Sequence, residues 1–333
     1  MSYCISFDDV KAAHERVKPF TNLTPILTSS TITKWSSRSN VLFKVEAFQK
    51  TGSFKFRGAT SAVQDLPADI AAKGVVTHSS GNHAQALALA AKNRKTTANI
   101  VMPDTAPITK QNAVREYEAT VTICSPTERV STCAKIAEQT GGTIIHPSEN
   151  PKVIAGQGTV SLELVSQSKD FLPPGESLDL VIIPVGGGGL ASGNSIALRG
   201  LLGDKVKIVL AEPEIAADAK RSKDKGEWEG HLPDVSHESV ADGLKTTLGP
   251  NTWPIVRDFT DDIFTCSEAD IIKSTKLIWE RMKICIEPSA GTGVAVLLSD
   301  EFKEKYPPDK YKNVAVILCG GNVDVDNFAQ MIA

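Results

Sequence analysis

The stretch FQKTGSFKFRGA (48–59) sets one lysine, Lys55, between two phenylalanines, Phe54 and Phe56, with glycines at Gly52 and Gly58. A solvated lysine gains nothing from such neighbours. A reactive one does, because an apolar surround favours the neutral amine, and a neutral amine can form a Schiff base with a carbonyl. Ser53 is placed to cap a helix that begins near Lys55, and the glycines let a ligand approach the backbone closely. Lys44 and Lys50 are the competing amines, but neither lies between two aromatic rings.

Four other segments carry chemistry. In VGGGGLASGNS (185–195), Gly186, Gly187, Gly188 and Gly189 present backbone N–H groups at a helix start, a cup suited to a phosphate. No Lys-Ser/Thr follows, and Ala191 stands where a third glycine of GxGxxG would be, so nucleoside triphosphatase and dinucleotide-binding readings both weaken. In HSSGNHAQA (78–86), Ser79, Ser80, Gly81, Asn82 and His83 gather hydroxyls, an amide and free N–H groups at another helix start, which suits a carboxylate. Plain N-capping is the competing reading for any one of them, and without GxSxG a hydrolase triad is poorly supported. AEPEIAAD (211–218) spaces Glu212 and Asp218 for a Mg²⁺ or Ca²⁺ ion held through oxygen, against the alternative of a solvated acidic loop. CGGNVD (319–324) closes a further strand.

These loops need strands and helices to aim them. Strands are expected at 41–47, 74–79, 98–103, 120–124 and 143–147, alternating with helices that follow Ser53 and cover 84–92, 108–117 and 130–139. A second set has a helix over 153–167 and buried strands at 178–185, 207–213 and 314–321. Segment 169–177 reads as a surface loop, and the polar segment 220–239 as lying outside the core. The alternation predicts an α/β protein with parallel-rich twisted sheets covered by helices.

Bulk properties limit the partners. The chain has 333 residues with a formal net charge of −3, which gives no electrostatic case for nucleic acid or an anionic membrane. Asp8, Asp9, Lys11, Glu15, Arg16 and Lys18 exclude a secretory core at the start. The uncharged run 180–198 is glycine-rich and broken by Pro184, so no membrane span is expected. Six scattered cysteines without CxxC fit a reduced, cytoplasmic protein.

Taken in order, SFKFRGA, SSGNH, GGGGL and CGGNVD resemble the fold-type II pyridoxal-phosphate enzymes, in the serine racemase and serine/threonine dehydratase family. TPILTSS, THSSGNHAQAL, VIAGQGT, ADGLK, NTWPIVRD and IEPSAG bring the resemblance closest to the animal racemases, from about Tyr3 to Asp324. It implies a tryptophan-synthase-β-like fold, with a small mobile domain (75–150) inserted into a large cofactor-binding one (1–70 plus 152–333). It implies pyridoxal 5′-phosphate on Lys55, with Lys55 and Ser80 as proton carriers on opposite faces of the substrate. Phe54 would pack on the cofactor ring, Asn82 would meet its hydroxyl, Gly186 to Gly189 would bind its phosphate, and Cys319 would face its nitrogen. Ser79, Ser80, Asn82, His83, Arg129 and Thr246 would hold the substrate, and Glu212, the Ala216 carbonyl and Asp218 a divalent cation (Mg²⁺, Ca²⁺ or Mn²⁺). ATP as an activator at a homodimer interface would meet Ser29, Ser30, Lys50, Thr51, Gln85, Lys110, Tyr117 and Asn322.

Four departures stand out. Cys319 replaces the serine usual in racemases and tilts the balance toward elimination, Ser148 replaces the asparagine of mammalian racemases, Thr246 replaces a common serine, and 125–130 is shorter. The implied activity is interconversion of L- and D-serine with β-elimination to pyruvate and ammonia. Alternatives are a serine/threonine or 3-hydroxyaspartate dehydratase with little racemisation, an aspartate racemase, or a catalytically dead nucleotide-binding relative. The regulatory domain of biosynthetic threonine dehydratases is not expected, as the chain stops at Ala333.

Overall fold

The computed structural model describes residues 3–106, 108–230 and 234–332. In chain order its strands are β1 (Ile26–Leu27), β2 (Asn40–Val45), β3 (Val75–His78), β4 (Ala98–Pro103), β5 (Thr120–Cys124), β6 (Thr143–Ile144), β7 (Leu180–Pro184), β8 (Lys207–Pro213), β9 (Asp262–Cys266) and β10 (Asn313–Leu318). One sheet has the order β1-β2-β10-β7-β8-β9 and the other β5-β4-β3-β6. All pairings are parallel except β1 with β2. The strands expected at 98–103, 120–124 and 207–213 match in full. The strand expected at 143–147 stops at Ile144, because the chain turns there to bring His146 and Pro147 toward Lys55.

Parallel strands buried on both faces need continuous apolar runs. LVIIP of β7 and NVAVIL of β10 are buried at every position. Each fully buried Val, Leu or Ile there contributes about 1.5–3 kcal/mol. These strands anchor the larger core with Phe43, Leu210, Phe264 and Phe302. A second core joins Phe56, Ala59 and Val63 of helix Lys55–Asp65 to Val75, Leu87, Ile100 and Val153. The Lys55 helix therefore packs on the core of the smaller sheet while its start hangs from the larger one. Helix Asp218–Lys225 runs into the segment expected to be peripheral, and Ser222 within it is buried. Among the described residues, no helix is long and apolar enough to cross a membrane.

Topology places the chemistry. The chain leaves β7 toward β8 and β9 on one side, yet β10 returns on the other, so β7 and β10 form a switch point. Ligands of open α/β sheets bind outside the carboxyl ends at such a point. The glycine row follows β7, Cys319 follows β10, and Lys55 opens the first α-helix beyond β2. From the smaller sheet, Ser79 and Ser80 follow β3.

Candidate active site

Lys55 is the first residue of its helix, and the approach to it is tightly turned. Thr51 and Gly52 both take left-handed backbone angles (φ 59° and 72°). Ser53 is then extended and bridges to Gly320, and the Phe54 N–H donates to the Cys319 carbonyl at 3.1 Å. The expected Ser53 cap does not form. Extended backbone turns its hydroxyl into a buried site where it has no partner. Nor do the two glycines face a ligand. A side chain at Gly52 would strike Asn322, and one at Gly58 would strike Gln157 and the Val153 carbonyl.

The aromatic sandwich around Lys55 is half of what the sequence implied. The amine lies 5.1 Å from the Phe54 ring centroid, but Phe56, about 100° further round the helix, enters the second core. The amine makes one hydrogen bond, donating to the Pro147 carbonyl at 3.1 Å. Burial pulls its pKa down to about 8, against the upward pull of Cys319 and Glu287. Lys44 is more deeply buried, at 0% exposure, yet differs in kind. It donates to the Thr24 carbonyl, Glu163 and Gln167 at 2.7–2.8 Å. Burial alone does not single out the reactive lysine; burial with almost no partner does.

The glycine row turns at Gly188 (φ 79°) into helix Gly189–Leu202. A Cβ at Gly186 would come within 2.9 Å of the Leu244 Cα, and one at Gly187 within 2.6 Å of the Ser148 hydroxyl. Residues 148 and 244–246 thus wall the cup, and the Gly187 N–H donates to Thr246 Oγ1 at 2.9 Å.

Helix Asn82–Arg94 begins without a side-chain cap, so simple N-capping does not explain HSSGNH. The Asn82 amide nitrogen donates to both Glu287 oxygens (2.9 and 3.0 Å), and its oxygen accepts from Asn322 (2.8 Å). Asn322 also donates to the Thr51 carbonyl at 2.7 Å. Ser79 and Ser80 stay half-buried, and a side chain at Gly81 would meet nothing within 4 Å. The His83 imidazole turns inward onto the Ile145 carbonyl (3.2 Å), and burial holds its pKa at about 3. What His83 offers the helix start is its N–H. Arg129 opens helix Arg129–Thr140, with its Nε on the Pro126 carbonyl at 3.0 Å. It helps to hold the His78 pKa below its ordinary value, behind burial.

Several groups at the site escaped the sequence reading. Glu287 is 2% exposed, and burial lifts its carboxyl to about 7. It lies in IEPSAG, but no spacing rule marks it. His146 Nδ1 accepts the N–H groups of Ser148 and Glu149 (3.2 and 3.0 Å), so a neutral ring carries its proton on Nε2. Burial lowers its pKa to about 4. Cys319 is 2% exposed, and burial pushes its thiol pKa well up, so it stays protonated.

At the end of β8, Glu212 and Asp218 are both fully buried. Burial, then repulsion from Asp218, lifts Glu212 to about 8, and burial lifts Asp218 to about 6. Glu212 accepts from the N–H groups of Ala219 and Lys220, while Asp218 Oδ1 has no partner. Among the described residues no third His, Cys, Asp or Glu joins them. Of the remaining positions, Lys110 pairs with Asp242 at 2.6 Å, and Ser29 caps its own helix through the Ile32 N–H. Lys50 lies 6.0 Å from the Phe56 ring centroid.

The profile of the pyridoxal-phosphate dependent enzyme family matches residues 17–320. This chain belongs to that family. Human serine racemase is 46% identical to it, over 97% of this chain and 93% of that protein. The β-hydroxyaspartate dehydratase of Paracoccus denitrificans is 42% identical over 97% and 98%. The solved serine racemase of Dictyostelium discoideum superposes with a TM-score of 0.88 at 44% identity, covering 96% of this chain and 99% of that one. The fold-type II reading is thereby established. The residues fit the family cofactor: a scarcely partnered amine beside a flat ring, a walled glycine cup after β7, and a protonated thiol just after β10, the strand between β2 and β7.

Proposed function

We propose that this protein is a serine racemase that also eliminates water from serine, giving pyruvate and ammonia. The observation that carries the reading is the half-buried, nearly unpartnered Lys55 amine, whose helix starts from the larger sheet and packs on the core of the smaller one, in a chain 46% identical to human serine racemase. Bound pyridoxal phosphate supplies an electron sink that makes the Cα–H of an attached amino acid acidic. The rest falls to the chain. Lys55 Nζ anchors the cofactor and carries a proton on one face of Cα, and Ser80 Oγ carries one on the other. Two carriers on opposed faces invert the centre. Loss of the β-hydroxyl from the same deprotonated substrate gives elimination instead. Gly186 to Gly189 hold the phosphate and Phe54 supports the ring. Asn82, braced by Glu287 and Asn322, meets the ring hydroxyl. Ser79, the His83 N–H, Arg129 and Thr246 orient the substrate.

A second reading, a dehydratase of serine, threonine or 3-hydroxyaspartate with little racemisation, is favoured by Cys319. A protonated thiol is a weak partner for the ring nitrogen. Partition between D-serine and pyruvate separates the two readings.

The unit 75–150 closes on the unit 1–70 plus 152–333 and excludes water. The Lys110–Asp242 ion pair and the bonds that Glu149 accepts from the Asn251 N–H and the Thr252 hydroxyl (both 2.7 Å) run between the two units and support their closed apposition. Glu212, the Ala216 carbonyl and Asp218 hold Mg²⁺, Ca²⁺ or Mn²⁺, in keeping with the buried oxygen that lacks a partner. ATP acts at a homodimer interface through Ser29, Ser30, Lys50, Thr51, Gln85, Lys110, Tyr117 and Asn322; the Thr51–Asn322–Asn82 chain gives it a route to the cofactor. Six free cysteines suit the cytoplasm.

Two predictions arise here. Only the neutral amine captures an aldehyde, so cofactor capture should rise with pH through a midpoint near 8 and level off above it. Stopped-flow absorbance checks this, and a midpoint near 10.5, the ordinary lysine value, contradicts it. Secondly, Mg²⁺ should raise the Tm of chelator-treated protein by several degrees, about 2–3 kcal/mol at saturating ion. Glu212→Gln should lose that response, and an equal response in the variant would exclude this site.

A further inference from the structure

The first turn of the Lys55 helix sends three consecutive side chains three ways. Lys55 reaches the Pro147 carbonyl, Phe56 enters the second core, and Arg57, about 200° from Lys55, points to the opposite side. There Arg57 is 0% exposed and fully engaged. It forks onto Glu46 through Nε and an NH2 group (2.7 and 2.9 Å). It forks again onto Glu163 (2.6 and 2.8 Å). Glu163 also accepts from Lys44, and the Thr24 hydroxyl donates to Glu46 at 2.6 Å. Two cations thus balance two anions, and the network ties the helix at once to β2 and to helix Pro151–Ser168.

We propose that Arg57, with Glu46, Glu163 and Lys44, is a positioning network for Lys55, fixing the rotation and depth of its helix so that the amine stays in the cleft. This rests on the reading of Lys55 as the cofactor anchor. Double forks fix orientation as well as distance, so a lysine at position 57 keeps the charge but not the constraint. A buried ion network is a weak device for stability alone, whereas a misplacement of about 1 Å at a reacting group costs about 100-fold in rate.

The test compares full-length Arg57→Lys, Thr24→Val and Arg38→Lys. Arg38 is a second buried arginine, 5% exposed, that donates to the Tyr306 and Tyr311 carbonyls instead. For each, the pH midpoint of Lys55 modification by a small acylating reagent is mapped by peptide mass on cofactor-stripped protein, beside Tm, kcat and KM. Arg57→Lys should move the midpoint from about 8 upward by roughly one unit and lower kcat about 100-fold, with KM changed little. Thr24→Val, which removes one hydroxyl, should shift it the same way by less. Arg38→Lys should lower Tm without moving the midpoint. An unchanged midpoint in folded Arg57→Lys overturns the proposal. So does an unchanged midpoint in Thr24→Val if Arg57→Lys fails to fold, or an equal shift in Arg38→Lys. Borohydride reduction of the wild-type holoenzyme separates the two claims: failure to mark Lys55 sinks the anchor reading, while the midpoints still report on the network.

Discussion

Lys55→Ala is expected to abolish both racemisation and elimination, by more than about 10⁴-fold, since acid–base assistance alone is worth about 10²–10⁴ and the cofactor anchor goes with it. The variant should remain folded. The amine donates one hydrogen bond and is otherwise desolvated, so its removal also relieves a cost of burial. It should bind pyridoxal phosphate weakly and lack the yellow absorbance of the lysine-linked form. Lys44→Ala makes the informative contrast. Truncating Lys44 leaves Glu163 short of one partner inside the core, a loss of about 3–5 kcal/mol. It should therefore lower Tm sharply and, since Lys44 belongs to the network that positions Lys55, lower turnover only in part, while the folded fraction still captures pyridoxal phosphate on Lys55. If Lys55→Ala kept normal turnover, the anchor assignment would fall.

Ser80→Ala should separate the two activities. The loss of its hydroxyl removes the proton carrier from one face of Cα only. Racemisation should fall by about 10²–10³-fold, whereas elimination from L-serine, begun by Lys55 on the other face, should fall less than about tenfold. Ser80 is half-buried beside the open position at Gly81, so the substitution leaves no packing defect. Chiral chromatography of D-serine with a coupled pyruvate assay reads both rates from one incubation. Equal loss of both, with substrate binding intact, would count against the two-carrier scheme.

The parts of this site that were legible in the sequence are those built from local runs. Continuous apolar stretches such as 181–185 and 314–318 announce buried parallel strands, and loops just after strands announce the carboxyl-end cleft. Lys55 was found through its neighbours, though for partly the wrong reason: Phe54 lies against the amine and Phe56 does not. What the sequence hid is long-range or featureless. Asn82 and Glu287 meet across 205 residues, and Arg57 and Glu163 across 106. Helix Pro288–Leu298, PSAGTGVAVLL, is buried at all but one position, so it has no polar face to reveal its period. Strand β9, DIFTC, is short and mixed and reads as neither element. Lys44 shows the same limit from the other side, since its partners Glu163 and Gln167 on helix Pro151–Ser168 can be seen only in the folded chain.

The central claim is that Lys55 and Ser80 act on opposite faces of serine. It is tested most directly by incubating the purified holoenzyme with pyridoxal phosphate, Mg²⁺ and L-serine and measuring D-serine and pyruvate together. Substantial D-serine formation, accompanied by pyruvate, is the result predicted. Pyruvate without D-serine would contradict it and leave a dehydratase, with Cys319 and Ser148 the first positions to revert.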